Sequence, residues 1–196
     1  MSELPALRPP DDERPEAEQQ PEEEQQPEEE QQQHAPGRFE VPSGYKVLTG
    51  SRGGRHSVAL VVAKFNGEVT SRLLERALEA LEEAGVEREA VTIVPVPGAF
   101  ELPLAAIALA KSRKYSCIVA LGCVIRGETP HFDYVASEAA SGLQLAAIET
   151  GVPVSFGVLT TESVDQAEAR IDRAADAVQS ALEMAGLFSQ LRTAAK

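Results

Sequence analysis

The stretch "CIVALGCVIRGETPHFDYV", residues 117–135, passes from an apolar run through a polar loop into a helical pattern. The apolar part, residues 117–125, is continuous, as expected of a strand that is covered on both faces of a sheet. Thr129 followed by Pro130 is a helix-start signal, with Thr as the N-cap and Pro as the first helical residue. The sequence therefore predicts a strand, a loop and a helix, with His131 in the first helical turn.

The same alternation of strand and helix runs along most of the chain. Apolar, β-rich runs predict strands at residues 57–65, 91–96, 117–125 and 153–159. Each is followed by a helical pattern, and Gly85 and Gly151 are the predicted ends of the first and third helices. This order predicts an α/β protein with a parallel sheet, right-handed crossovers and helices on both faces. Pro95 indicates that the second strand is an edge strand, outside the first in a doubly wound order.

The beginning of the chain has a different composition. Residues 1–43 are rich in Glu, Gln and Pro, and such a segment cannot bury enough apolar surface to offset the entropy of ordering. Residues 1–40 hold thirteen acidic and three basic side chains, so they carry −10 of the net charge of −13. We predict a disordered, solvated acidic tail before one domain at residues 44–196, and a specific binding role for the tail is the less favoured alternative.

The composition of the remainder excludes several classes of function. Its charge is close to balanced, which argues against a nucleic-acid surface, and no apolar run is long enough to cross a membrane. A cytoplasmic protein is expected. Cys117 and Cys123 are too far apart along one extended strand for a disulfide, so we interpret them as small buried apolar residues.

Open parallel sheets bind ligands beyond the carboxyl ends of their strands. Here those ends are rich in polar and aromatic groups, in the segments 64–67, 97–101, 126–131 and 159–161. The backbone N–H groups of residues 127–129, before a helix start, predict an anion site for which phosphate is the obvious candidate. The same positive helix end disfavours a cationic His131, which keeps the imidazole available as a base.

Each of these residues also has an ordinary structural explanation. A lone histidine beside an aromatic residue is more often structural than catalytic, Phe65 alone fits a core position, and Glu101 alone fits a solvated helix start. Because the signals converge on one edge of the predicted sheet, a ligand site is the better hypothesis.

Five segments resemble the successive motifs of lumazine synthase, the family that carries out the penultimate step of riboflavin biosynthesis. They are "FNGEVTSRLLERAL", "VPGAFELPLAA", "ALGCVIRGETPHFDYV", "TGVPVSFGVLT" and "DQAEAR". The resemblance covers residues 57–192 and implies a flavodoxin-like fold with a four-stranded parallel sheet. It also implies the condensation of 5-amino-6-ribitylamino-pyrimidinedione with 3,4-dihydroxy-2-butanone 4-phosphate to 6,7-dimethyl-8-ribityllumazine, with no cofactor and no metal.

The resemblance assigns a role to individual residues of this sequence. His131 would shuttle protons. The residues expected at the pyrimidine ring and ribityl chain are Phe65, Asn66, Ala99, Phe100, Glu101, Val124 and Ile125. Those expected at the phosphate are Gly127, Glu128 and Thr129. Phe156 and Arg170 would reach the site from a neighbouring subunit, because the family forms pentamers whose active sites lie between subunits. In some members of the family the pentamers assemble further into a hollow icosahedral shell. The family also adds its N-terminal strand, here about residues 38–48, to the adjacent subunit's sheet.

The sequence departs from the family after Arg170. The family usually continues with Ala-Gly and a short loop containing Asn-Lys-Gly or Asp-Lys-Gly, whereas "ARIDRAADAVQ" lacks the glycines and the lysine. An uninterrupted helical pattern is predicted instead, and Arg173 is the alternative to Arg170 as the phosphate ligand. A non-enzymatic protein on the same fold, one that binds lumazine or flavin or only forms a shell, is the alternative function.

Overall fold

The computed structural model describes residues 39–52 and 56–194. The chain divides into two units after residue 42, and the account below concerns the second unit, residues 43–196. The predicted disordered tail lies almost entirely outside the described residues. Within the described part of the chain, no helix is both long and apolar enough to cross a membrane.

The second unit is built around a parallel sheet of four strands in the order β2-β1-β3-β4. The strands are β1 (Val58–Ala63), β2 (Val91–Val96), β3 (Cys117–Ile125) and β4 (Val154–Thr161). The helices are α1 (Gly67–Glu83), α2 (Leu102–Lys111), α3 (His131–Thr150), α4 (Val164–Glu168) and α5 (Arg173–Ala194). The predicted doubly wound α/β class is confirmed. Pro95 lies on β2, which is an edge strand as predicted. At the edge of the sheet, the missing N–H of a proline removes no hydrogen bond between central strands.

The sheet separates two hydrophobic cores. Side chains alternate between its faces, so Leu60 points to the core shared with α1 and α5, whereas Val61 points to the core shared with α2 and α3. Both are completely buried, as is every residue of β1 to within a few per cent. Burial on both faces explains why the central strands are continuously apolar.

The helix ends agree with the sequence in part. Gly85, after α1, and Gly151, after α3, have positive φ angles of 76° and 65°, the left-handed conformation in which glycine is least strained. The predicted N-cap of α3 was wrong, since Pro130 rather than Thr129 occupies that position and no side chain caps this end. The first turn is closed instead by the Asp133 N–H, which donates to the Pro130 carbonyl at 3.0 Å. His131 nevertheless lies in the first helical turn, as predicted.

The prediction of an uninterrupted helical pattern in place of the family's loop after Arg170 was also wrong. Residues 169–172 form a turn between α4 and α5, in which Arg173 N–H donates to the Arg170 carbonyl and Ala174 N–H to that of Ile171. These i to i−3 hydrogen bonds wind the chain more tightly than an α-helix does. Because such tight turns keep almost the same spacing of apolar residues, the sequence pattern could not distinguish them from a continuous helix.

The segment before β1 lies along α5. The Gln190 side chain donates to the Thr49 carbonyl at 2.7 Å, and Arg52 binds Gln179 at 3.1 Å and Glu183 at 3.3 Å. Residues 39–52 contain no strand in this single chain. The addition of an N-terminal strand to a neighbouring sheet therefore stays a prediction.

Gly142 lets α3 approach α2 closely, because a Cβ atom at this position would lie 2.7 Å from Pro103 Cβ. We expect Gly142→Ala to lower the free energy of unfolding by about 1–3 kcal/mol, because a rigid proline ring cannot move aside cheaply. Gly67→Ala, at a helical glycine with open space around it, is the control and should not destabilise. Denaturant unfolding of both variants measures the difference, and equal stabilities would contradict this account of the packing.

Candidate active site

A pocket of about 570 Å³ opens at the carboxyl ends of β1, β2 and β3. The chain leaves β1 toward β2 on one side and returns to β3 on the other, so the connections diverge here and leave a crevice. The pocket is lined by Phe65, Asn66, Gly98, Ala99, Phe100, Glu101, Cys123, Val124, Ile125, Gly127, Thr129, His131, Phe132, Tyr134 and Val135. Its position is the one that the sheet topology predicts.

The chain leaving β1 is fixed by backbone pairing. Lys64 N–H donates to the Val96 carbonyl at 2.8 Å and Phe65 N–H to that of Pro97 at 3.1 Å, which extends the ladder with β2. Asn66 then adopts a left-handed conformation, with φ of 56°, and its Nδ2 donates to the Cys123 carbonyl of β3 at 2.9 Å. This hydrogen bond ties two walls of the pocket together. The Phe65 ring is 71% exposed and is free to receive a planar ligand.

The chain leaving β2 makes a short helical turn at Ala99–Glu101 before α2 begins. Ala99 is buried, whereas the Phe100 side chain is mostly exposed. A Cβ atom at Gly98 would lie 3.2 Å from Glu101 Oε2, so the missing side chain gives the carboxylate room over the backbone. The result is an acceptor group in the wall opposite the β3 loop.

The loop after β3 carries the remaining polar groups of the pocket. Arg126 N–H donates to the Thr161 carbonyl at 2.9 Å, which holds the start of the loop against the end of β4. Gly127, Thr129 and His131 then line the pocket, and the His131 side chain is exposed. The loop amides and the imidazole thus lie at one mouth, where the positive end of α3 favours an anion.

The family model of 6,7-dimethyl-8-ribityllumazine synthase matches residues 55–189 of the chain. That range contains the whole sheet and the pocket. The chain belongs to this family. A 6,7-dimethyl-8-ribityllumazine synthase from Salinibacter ruber (strain DSM 13855 / M31) is 48% identical over 141 residues, which cover 69% of this chain and 90% of the relative.

Most of the residues that the lumazine synthase motifs singled out come together in the pocket. Those that line it are Phe65, Asn66, Ala99, Phe100, Glu101, Val124, Ile125, Gly127, Thr129 and His131. Glu128 lies in the same loop but does not line the pocket. Phe156, Arg170 and Arg173 also lie outside it.

Phe156 is on the edge strand β4, where it lines a second pocket of about 490 Å³ between α3 and α5. Arg170 lies in the turn at residues 169–172 and donates to the Gln166 carbonyl at 2.8 Å. Arg173 lies on α5 and pairs with Asp176 at 3.1 Å. The two arginines are therefore not on one continuous helix face, and they differ in how their guanidinium groups are engaged.

The turn that carries Arg170 is anchored to α1. Arg76 Nε lies 2.9 Å from Asp172 Oδ1, and this hydrogen bond raises the pKa of the Arg76 guanidinium above its usual value. Glu79 and Glu83 of α1 also lie within ion-pair distance of Arg76. Arg72 forms a further ion pair with Glu168. The turn without the family's glycines is thus held by charged side chains from the neighbouring helix.

Several pocket residues were not among those assigned a role from the sequence, namely Gly98, Cys123, Phe132, Tyr134 and Val135. Tyr134 and Val135 follow His131 at i+3 and i+4, so the helical period could have placed them on the same face. Cys123 gave no signal beyond its apolar surroundings. Burial raises the pKa of its thiol to about 11 and that of Cys117 to about 12, and both cysteines are free. The Cys123 side chain is thus a neutral part of the pocket wall at physiological pH.

Asn66 combines a left-handed backbone with a hydrogen bond across the pocket, and substitutions can separate the two contributions. Asn66→Ala should lower the free energy of unfolding by about 1–3 kcal/mol, because it loses the hydrogen bond and because alanine tolerates the left-handed conformation less well than asparagine does. Asn66→Gly, which loses only the hydrogen bond, should cost about 1 kcal/mol. Denaturant unfolding without substrates gives both values. If the glycine variant were as unstable as the alanine variant, the backbone conformation would carry no strain.

Proposed function

We propose that the protein condenses 5-amino-6-ribitylamino-pyrimidinedione with 3,4-dihydroxy-2-butanone 4-phosphate, forming 6,7-dimethyl-8-ribityllumazine with loss of phosphate and water. The observation that carries the proposal is the convergence of the motif residues on one pocket at the carboxyl end of the sheet. Membership of the family supports the same reaction. The family chemistry needs neither a cofactor nor a metal, and no group of His, Cys, Asp and Glu suited to a metal occurs among residues 39–52 and 56–194.

The wall formed by the chain after β1 and β2 suits the pyrimidine substrate. The exposed ring of Phe65 offers a face on which a flat heterocycle can stack. Asn66 and Glu101 supply an amide and a carboxylate within the same wall, and hydroxyl groups of a ribityl chain can donate to both. Val124 and Ile125 give the ring edge an apolar surface. We infer that this wall holds the pyrimidine with its amino groups toward the β3 loop.

The β3 loop suits the phosphorylated substrate. Backbone N–H groups at residues 127–129, beside the start of α3, favour the phosphate, and this brings the ketone carbon near His131. The substrate amine then attacks the ketone with loss of water, and a carbon-bound proton leaves as the phosphate departs. The second amine closes the ring with loss of another water. We propose that the His131 imidazole accepts and returns these protons.

The proposed site needs a second subunit. The described residues that line the pocket include no lysine and no arginine, although the substrate phosphate carries close to two negative charges. We infer that Arg170 and Phe156 of a neighbouring copy complete the site in a pentamer, and that pentamers can assemble further into an icosahedral shell. Exposed apolar side chains on α2 and α3, such as Leu104 and Ile148, support an assembly through this face.

Other parts of the hypothesis stay proposals of the same kind. We infer that residues 1–43 form a disordered tail that takes no part in turnover, and that the N-terminal strand pairs with a neighbour. A cytoplasmic location fits the two free cysteines. The non-enzymatic alternative is less favoured, because a protein that only binds lumazine has no need of an exposed imidazole beside an anion-binding loop.

The direct test is an assay of lumazine formation from the two substrates, followed by absorbance. The parent protein should form the product, and His131→Ala should lower kcat by about 10²–10⁴-fold, the usual contribution of a general acid–base group. His56→Ala, which removes a histidine outside the pocket, is the control and should turn over normally. If the parent protein forms no product, the proposed reaction is wrong and the non-enzymatic alternative is favoured.

The two arginines can be separated by their effect on the phosphorylated substrate. We expect Arg170→Ala to raise the KM for the butanone phosphate by the equivalent of about 2–4 kcal/mol, with little change in the KM for the pyrimidine. Arg173→Ala should have a smaller effect, because its guanidinium is already paired with Asp176. A larger effect of Arg173→Ala would make that residue the phosphate ligand.

The same variants test the shared site. Mixing the His131→Ala and Arg170→Ala proteins under conditions that exchange subunits should restore activity at low phosphate-substrate concentration, because some sites then hold both native residues. A mixture of His131→Ala with His131→Ala bearing a distinct mass tag measures the exchange itself. If exchange is complete and activity does not return, both residues serve the same subunit.

A further inference from the structure

Arg126, the first residue after β3, contacts three other side chains beside the pocket. Its Nη2 and Nη1 lie 3.1 Å and 3.3 Å from the two carboxylate oxygens of Asp133. Its Nε lies 2.9 Å from Glu162 Oε2, just after β4. The guanidinium carbon also lies 4.1 Å from the centre of the Phe132 ring. We call Arg126, Asp133 and Glu162 the Arg126 cluster.

The Arg126 cluster closes the active-site loop into a ring. Arg126 and Asp133 flank residues 127–132, which contain the phosphate-binding segment and His131, so their two-point ion pair joins the ends of this loop. Glu162 fixes the guanidinium to the chain after β4, and the Arg126 backbone N–H already donates to Thr161. The loop is thus tied to α3 at one end and to β4 at the other.

The geometry favours orientation over stability as the result of these contacts. All three side chains are considerably exposed, and ion pairs at exposed positions contribute little to folding. A guanidinium that binds one carboxylate at two points, a second through Nε and an aromatic face is nevertheless held in a single orientation. The hydrogen bonds to Asp133 and then to Glu162 raise the pKa of Arg126, so its charge is constant wherever the enzyme works.

We propose that Arg126 is a positioning residue, whose ion pairs with Asp133 and Glu162 hold the loop 127–130 and His131 in place for proton transfer. It does not line the pocket, and its three donor nitrogens are engaged by protein carboxylates, so it is not a substrate ligand. This inference rests on the proposed function, because it presumes that His131 serves the reaction.

Kinetics of Arg126→Gln, Asp133→Asn and the double variant test the proposal. Each single substitution should lower kcat by about tenfold to a hundredfold, the loss expected when a reacting group is displaced by about 1 Å. The KM for the butanone phosphate should change less than threefold. The kcat of the double variant should equal that of the less active single variant, since the two residues act through one ion pair. Arg126→Lys, which keeps the charge without the two-point contact, should recover only part of the activity.

Arg88→Gln is the matched control, because it removes an exposed arginine that pairs with Glu82 at 3.5 Å, away from the pocket. Its kcat should be that of the parent, and its melting temperature should equal that of Arg126→Gln within about 2 °C, since both lose an exposed ion pair. If Arg126→Gln does not fold, Asp133→Asn tests the same ion pair from its other side.

Hydrogen exchange of the parent and of Arg126→Gln gives a measure that does not depend on turnover. Amides of residues 127–133 should exchange faster in the variant, and those of α5 should not change. If the parent protein forms no lumazine, the proposed function fails, whereas the exchange experiment still tests whether Arg126 orders the loop. Unchanged amide exchange in residues 127–133, or an unchanged kcat, would overturn the inference. So would a kcat loss in the double variant equal to the product of the two single losses. A rise in KM at constant kcat would instead make Arg126 a phosphate ligand.

Discussion

The parallel pairing of β1 with β3, at the centre of the sheet, is the constraint on which the rest of the structure depends. Both strands are covered by helices on both faces, so almost all of their side chains are apolar and each residue contributes to one of two cores. The connections leave this pair in opposite directions, toward β2 and toward β4. A crevice at the carboxyl ends of β1 and β3 follows from that divergence, and the pocket occupies it.

The polar residues of the pocket are held by contacts that begin where the strands end. Backbone hydrogen bonds extend the β1–β2 pairing to Phe65, and the Asn66 side chain crosses to the Cys123 carbonyl of β3. On the other side, the Arg126 cluster ties the β3 loop to α3 and to the end of β4. A rigid sheet thereby fixes the positions of irregular segments, which is the arrangement that a reaction between two bound substrates requires.

The described residues that line the pocket in a single chain lack a permanent positive charge. The pocket residues contribute a carboxylate, an imidazole and backbone amides, but no permanently charged cation among the described lining residues. A phosphorylated substrate needs such a cation, and Arg170 lies elsewhere on the subunit, in a turn that Arg76 anchors through Asp172. We therefore propose that neighbouring subunits form the site together, with Arg170 and the exposed Phe156 of β4 contributed by the second subunit.

The sequence by itself determined the architecture, the edge position of β2, the helix ends at Gly85 and Gly151, and the edge of the sheet at which the pocket opens. These features depend on the burial of single residues and on local backbone freedom. Hydrophobic periodicity indicates the first, and Pro95 and the glycines indicate the second. The family motifs also indicated most of the pocket residues.

Only the tertiary structure decided the turn at residues 169–172, the start of α3 at His131 without a side-chain cap, and the hydrogen bond from Asn66 to Cys123. It also joined Arg126 to Glu162, which lies 36 residues further along the chain. Helical spacing does not distinguish i to i−3 from i to i−4 hydrogen bonds over one turn. The partner of a polar side chain depends on which strand ends meet in space, and that is set by the order of the strands rather than by the residues on either side.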